Sequence, residues 1–275
     1  MNNIDQNTVS AFGDEWSRFD QEALKDIEHK FLFDTYFHIF PWESLPAEAQ
    51  GFDMGCGSGR WAKLVAPKVA TLTCIDPSPD ALAVARRNLQ KISNIKFLNA
   101  GVSDQALPQN SQDFGYSLGV LHHIPDTALA LRDCVEMLKP GAPFLLYLYY
   151  RFDNRPKWYA LVWHFSDKMR RIIYRMPNWL KLKVTDFIAS FAYLPIARLA
   201  LLGERLGMDV NGWLLSSYRN TSFYTMRTDA RDRFGTPLEQ RFTRNEINEM
   251  MKEAGLENIY FSNRFPFWCA VGYKK

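Results

Sequence analysis

Between Gly51 and Tyr150 the apolar positions follow two rhythms that take turns along the chain. Short, nearly unbroken apolar runs lie at Gly51–Met54, Thr71–Ile75, Ile95–Asn99, Phe114–Leu118 and Pro143–Tyr150, and predict buried strands. Between them, stripes at three- and four-residue spacing predict helices over Arg60–Ala66, Pro79–Leu89 and Thr127–Leu138. Strand–helix alternation of this kind implies right-handed crossovers and a parallel sheet. Upstream, Phe12, Trp16 and Phe19, then Ile27, Phe31, Tyr36 and Phe40, predict two helices with those residues packed inward. Downstream, Thr243-Arg244-Asn245-Glu246 is a capping-box pattern opening a helix, and strands are expected at Asn258–Ser262 and Phe267–Gly272.

The stretch 151–240 is surplus to such a sheet. It is too long for a connection and too periodic for a loop. Trp158, Leu161, Val162, Phe165, Met169, Ile172 and Ile173 predict one helical face, Trp179, Leu182, Phe187 and Phe191 a second, and Ile196, Leu199, Leu202 and Leu206 a third after Pro195. The expected organisation is N-terminal helices over 1–50, a core of 51–150 with 241–275, and an inserted helical cap over 151–240. Arg151–Arg219 carries twelve basic against five acidic residues, +7, whereas the whole chain carries only +3. The total is too small to imply nucleic acid. The local excess suits solvated helix faces, an anionic acceptor, or peripheral contact with an anionic membrane surface. The longest apolar run, Phe187–Leu202, is interrupted by Pro195 and Arg198 and reads as too short to span a bilayer. The polar N-terminal residues lack a signal-peptide pattern, and the four cysteines form no C-x-x-C pair, so a reducing, cytoplasmic setting and no metal site are expected.

The first strand runs into Gly55-Cys56-Gly57-Ser58-Gly59. Strand, glycine turn and helix start make a geometry that lets a polar ligand approach backbone N–H groups. A dinucleotide site would place its third glycine at position 60, which is Arg60 here, so a dehydrogenase is disfavoured. Asp53, two places before the first glycine, completes D-x-G-x-G-x-G, which resembles motif I of class I S-adenosylmethionine-dependent methyltransferases. Asp76, at the end of the second strand, can accept two hydrogen bonds from a ribose diol or can cap the following helix, as can Ser78. Leu121-His122-His123-Ile124-Pro125-Asp126, a helix, then Leu138-Lys139-Pro140-Gly141 resembles the ubiquinone-biosynthesis-like, methyltransferase-11-type group.

That resemblance implies a Rossmann-like, seven-stranded, mostly parallel sheet with helices on both faces, and S-adenosyl-L-methionine as cofactor. The residues it places on the cofactor are Asp53, Gly55, Cys56, Gly57, Ser58, Gly59, Asp76 and Pro77, then Leu118 and Gly119. Gly101, Val102 and Ser103 (or Asp104) would meet the adenine, and Trp16 would act as a lid. His122 or His123 is the candidate base, if a base is needed. Tyr147, Tyr149 and Arg151, with Tyr218, Arg219 and Tyr224 from beyond the insertion, are candidate acceptor contacts. An Asn/Asp-Pro-Pro-Tyr motif is absent after the fourth strand, where Ser117-Leu118-Gly119-Val120 stands, so amino methylation of bases or glutamine is disfavoured. O-methylation of a small-molecule, glycan or lipid-linked acceptor remains. Carbon methylation of a quinone-like ring, or cofactor binding without turnover as a scaffold, stand as alternatives.

Overall fold

A computed structural model describes residues 3–21 and 23–275. Contacts divide the chain into two compact units, 1–21 with 29–153 and 238–275, and 22–28 with 154–237.

The first unit is built on a seven-stranded sheet. The strands are β1 (Gln50–Met54), β2 (Thr71–Asp76), β3 (Ile95–Asn99), β4 (Phe114–Leu118), β5 (Pro143–Tyr147), β6 (Leu256–Phe261) and β7 (Ala270–Lys274). Their spatial order is β3-β2-β1-β4-β5-β7-β6. The first five pair in parallel and β7 runs antiparallel to both β5 and β6. The order reverses at β1 and β4, so a crevice opens outside the carboxyl ends of those strands, where open α/β sheets bind ligands. Strands buried on both faces explain the unbroken apolar runs. Leu145 enters one core layer with Phe37, Trp61, Phe114 and Tyr116, while Phe144 and Leu146 enter the other with Phe52, Leu131 and Ile247.

Helices α1 (Gln6–Arg18), α2 (Asp26–Phe37), α3 (Ala62–Val65), α4 (Pro79–Asn88), α5 (Thr127–Glu136) and α10 (Arg244–Glu253) surround this sheet, α2 beginning within the second unit's residues. Local chemistry sets their starts. The Ser78 hydroxyl accepts the Ala81 N–H with Pro79 at the first helical position, Asp126 accepts the Leu129 N–H, and Thr243 and Glu246 form the reciprocal capping box.

Four expectations need correction. The helix after the glycine turn is one turn long, Ala62–Val65, followed by a 3₁₀ turn over Ala66–Lys68, with Pro67 in it. In α2 the inward residues are His29, Phe33 and Phe37, while Ile27 and Phe31 are 87% and 50% exposed. A hydrogen bond from the His29 ring to the Arg60 carbonyl (2.7 Å) makes a polar side chain tolerable inside. The last strands lie at Leu256–Phe261 and Ala270–Lys274. The stretch between them holds Pro266, which cannot donate to a ladder, and Trp268, whose indole N–H bonds Asp153 (2.8 Å). The fifth strand ends at Tyr147 rather than Tyr150.

The second unit contains α6 (Lys157–Ile173), α7 (Asn178–Ile188), α8 (Leu194–Arg205) and α9 (Phe223–Gly235). A π turn over Ala189–Tyr193 joins α7 to α8, so Asn178–Arg205 is one helix of 28 residues, long and apolar enough to cross a membrane by length and composition. Pro195 starts α8 instead of breaking the run. Residues 22–28 join this unit because Glu28 caps α9, accepting the Ser222 N–H (2.8 Å) and the Thr225 hydroxyl (2.7 Å). Of the predicted apolar stripe of α6, Met169 and Ile173 pack inward while Trp158, Leu161, Val162, Phe165 and Ile172 are exposed. Asp167 and Arg170 are the buried pair, bonded to each other at 2.9 Å, with Arg170 also donating to the Thr236 and Pro237 carbonyls.

Candidate active site

The glycine turn is pinned to β2. The N–H groups of Gly55 and Cys56 both donate to the Ile75 carbonyl, at 2.8 and 3.1 Å. Gly57 sits at φ +54° with its α-carbon toward α1, and a β-carbon there would lie 2.8 Å from Trp16 Nε1. Only glycine holds that backbone without strain and lets the Trp16 indole lie against the turn. The Gly57 N–H donates to Asp76 Oδ2 and the Ser78 N–H to Asp76 Oδ1, each at 2.9 Å. Ser78 therefore caps α4, and Asp76 is left at the strand end with each oxygen holding one donor and able to accept another. Burial raises its pKa to about 6, against the pull of those two N–H groups, so it is mostly ionised at neutral pH. The Ser58 hydroxyl is buried and without a hydrogen-bond partner among the described residues.

Beside Asp76 a cavity of about 220 Å³ is lined by Pro77, Asn99, Gly101, Val102 and Ser103 from the sheet side, and by Asn3, Ile4 and Gln6. The Asn3 amide exchanges two 2.8 Å hydrogen bonds with the Asp126 backbone, which fixes that wall. Ser103 and Asp104 are already engaged: the Ser103 hydroxyl donates to Asp133, and Asp104 accepts the Gly101 N–H at 2.6 Å. At the end of β4, after Leu118, Gly119 adopts φ +77° with nothing within 4 Å of a β-carbon built on it. A turn at Gly57 that only glycine fits, a carboxylate at Asp76 with accepting capacity to spare, a cavity beside it and space at Gly119 fit an extended nucleoside cofactor.

Two predicted contacts face elsewhere. Asp53 is 1% exposed and accepts the Tyr116 hydroxyl at 3.0 Å on the sheet's α2 side. Burial foremost, offset in part by that hydrogen bond, pushes its pKa up to about 8. Cys56 is buried beside Cys74, which with desolvation raises its thiol pKa well above the ordinary value, so it is inert. Asp53 sets a stability expectation. A carboxyl whose folded pKa lies above its unfolded value stabilises the fold fully only below the unfolded pKa, about 3.9, and that contribution is lost as pH rises through about 8. Asp53→Asn should therefore stabilise the protein, by on the order of 2 kcal/mol at pH 8 and by much less near pH 4. Thermal melts across that range check this, together with cofactor affinity unchanged within a few-fold.

Past Gly119 the chain turns through Leu121–His123. His122 is fully buried, its ring stacked on Tyr149 at 3.9 Å, with neither nitrogen hydrogen-bonded among the described residues. Burial first, then the charges of His123 and Arg241, hold its pKa well below the ordinary value, so the ring is neutral. His123 Nδ1 lies 2.6 Å from the Leu238 carbonyl and donates to it, which gives that ring a positional role. Tyr147 and Tyr149 continue an aromatic wall with Tyr36 and Trp61, with ring centroids 4.9–6.0 Å apart. Arg241, which no pattern in the sequence marked, lies under the wall, 5.1 Å from the Tyr149 ring, paired with Glu239 at 2.8 Å and bonded to the Tyr150 carbonyl. It sits in a loop, where periodicity carries no signal. It is found only through Phe242, whose N–H bonds the Tyr149 carbonyl at 2.9 Å.

The remaining acceptor candidates lie as follows. Arg151 is half-exposed and bonded to Glu246 (3.0 Å) and the Arg241 carbonyl. Tyr218, Arg219 and Tyr224 belong to the second unit. There Tyr218 packs on Tyr193 (5.3 Å), Arg219 pairs with Glu204 (2.8 Å), and the Tyr224 carbonyl accepts the Thr228 hydroxyl.

Comparison with known proteins agrees with this geometry. A family described as a methyltransferase domain matches residues 52–146. The Ubiquinone biosynthesis O-methyltransferase of Xanthomonas axonopodis pv. citri is 30% identical over 189 residues, spanning 67% of this chain and 74% of that protein. This chain is a class I S-adenosylmethionine-dependent methyltransferase. The homologous enzyme of Xanthomonas campestris pv. campestris (strain B100) is likewise 30% identical, over 66% of this chain and 72% of its own. Among solved structures, the complex between the Haloferax volcanii Trm112 methyltransferase activator and a methyltransferase is similar with a TM-score of 0.51 at 15% identity. It covers 95% of this chain and 96% of that one, a likeness of fold. The methyltransferase uses S-adenosylmethionine, whose sulfonium supplies an electrophilic methyl group. On this geometry Asp76 would hold the ribose, the cavity beside Pro77 the base, and the turn at Gly57 and the opening at Gly119 the rest.

Proposed function

We propose that this methyltransferase O-methylates a hydroxyl on an apolar, ring-bearing acceptor, either free or lipid-linked. The observation that carries the reading is His122, a buried neutral imidazole with no hydrogen-bond partner among the described residues, stacked in an aromatic wall three residues beyond Gly119. A buried polar ring in that state calls for a partner, and an acceptor hydroxyl is one that would supply it. A neutral imidazole accepts a hydroxyl proton, and doing so aims an oxygen lone pair at the methyl, where alignment supplies much of the rate. The wall of Tyr36, Trp61, Tyr147 and Tyr149 suits the edge and face of an aromatic ring. Arg241 adds fixed positive charge where a ring oxygen gains negative character. Relatives named as O-methyltransferases support the same chemistry.

The test uses methyl-labelled cofactor with three acceptors: a prenylated catechol, the same ring without the tail, and a matched ring lacking a free hydroxyl. The expected product carries the label as a methoxy group, seen by NMR, and the hydroxyl-free ring is not turned over. Label on a ring carbon, or turnover of the hydroxyl-free ring, would replace this reading with carbon methylation.

A further inference from the structure

The second unit wears its apolar side chains on the outside. On α6, Trp158, Leu161, Val162, Phe165 and Ile172 recur at short helical steps and all are exposed, Leu161 to 69% and Phe165 to 66%. The helix Asn178–Arg205 carries a second stripe of Trp179, Phe187, Phe191, Leu199 and Leu202, also exposed. Phe187, Phe191, Pro195 and Leu199 lie four residues apart. On an α-helix each such step overshoots a turn by about 40°. The π turn at Ala189–Tyr193 takes up the excess and keeps the stripe in line. Packing inside the unit uses the opposite side, through Thr185, Ala189, Tyr193, Ala197 and Ala200. Exposed contiguous apolar surface on this scale marks a binding face.

Charge indicates what covers it. Exposed basic residues flank both stripes: Lys157, Lys168 and Arg171 on α6 with Arg175 in the turn after it, and Lys183, Arg198 and Arg205 on the long helix. Residues 154–237 hold fourteen Lys and Arg against six Asp and Glu, a balance of +8, so the rest of the chain sums to −5 against the total of +3. Two such faces would repel one another in a symmetric pair, whereas anionic headgroups neutralise them. The long helix does not span. Its inner stripe is held to α9 through the Asp186–Arg227 pair at 2.7 Å, and Lys181 is buried on the same side. A helix with one side fixed to protein and a basic-flanked apolar side outward lies in an interface.

We propose that the outer face of α6 and of the helix Asn178–Arg205 seats on an anionic lipid bilayer, its aromatic and leucine side chains among the acyl chains and its basic flanks at the headgroups. This rests on the second unit alone and does not depend on which acceptor is methylated.

The experiment is co-sedimentation of the full chain with phosphatidylcholine vesicles, with and without phosphatidylglycerol. Binding to the phosphatidylglycerol vesicles should be about tenfold or more stronger and should weaken with salt. The double variant Phe187→Asp/Phe191→Asp should lose that binding while keeping its melting temperature and S-adenosylhomocysteine affinity. Lys168→Glu/Lys183→Glu should lose the preference for anionic lipid. If the native protein binds neither vesicle, the proposal fails. It also fails if the folded phenylalanine variant binds undiminished, or if sedimentation shows a native dimer that this variant dissociates, which would make a second copy the occupant.

Discussion

Gly57→Val is expected to raise the dissociation constant for S-adenosylhomocysteine by more than about 100-fold, a loss of roughly 3 kcal/mol or more. Two effects act together. A β-branched residue at φ +54° sits in a region that costs about 1–3 kcal/mol for a non-glycine residue. Its β-carbon would also lie 2.8 and 2.9 Å from Nε1 and Cε2 of Trp16, so the indole or the turn must move. If the turn moves, the Gly57 N–H leaves Asp76 and the carboxylate loses its orientation. Calorimetric titration reads the affinity, and a thermal melt shows that the sheet survives. Gly57→Ala should fall between the two. A folded valine variant that binds with native affinity would remove this turn from the site.

His122→Asn is expected to lower kcat by about 10²–10⁴-fold, the usual range for removing a group that takes a proton in the reaction. Cofactor affinity should stay within a few-fold, because the groups assigned to the cofactor lie along 55–119. The pH profile separates this role from a structural one. The imidazole must be neutral to act, and burial keeps its pKa well below the ordinary histidine value of about 6.5. Native kcat should therefore be level from about pH 6.5 upward, with its acid limb displaced to lower pH. A limb at the ordinary histidine pKa, or a folded variant with native kcat, would remove His122 from the chemistry.

The strands that carry the site were legible in the chain because burial on both faces leaves little room for polar residues. Phe114–Leu118, buried throughout, begins and ends where its apolar run does. The glycine turn and Asp76 were legible because few residue types satisfy those backbone and hydrogen-bonding demands. Helix faces were less so. Along α6 much of the apolar stripe lies outward, α2 leaves Ile27 and Phe31 exposed, and the inward sides include His29, Asp167 and Arg170, each paired with a group distant in sequence or with the other. Periodicity reports that a stripe exists, not which partner it will meet. Arg241 and the Asn3–Asp126 pair were illegible for a related reason: their roles arise from contacts that only the folded chain brings together.

That Asn3–Asp126 pair bears on how fast the site exchanges its contents. The wall over the base cavity belongs to a segment whose helix, α1, buries only Thr8, Gly13 and Glu15. Its apolar hold runs through half-buried side chains, Phe12 edge-on to the His123 ring and Trp16 against Gly57, and segments held mainly by partly exposed contacts open locally below the free energy of global unfolding. Parting those contacts together with the two Asn3–Asp126 hydrogen bonds would open the base cavity while the sheet below stays closed. Exchange through that wall would then follow the local stability of α1 rather than the strength of the core.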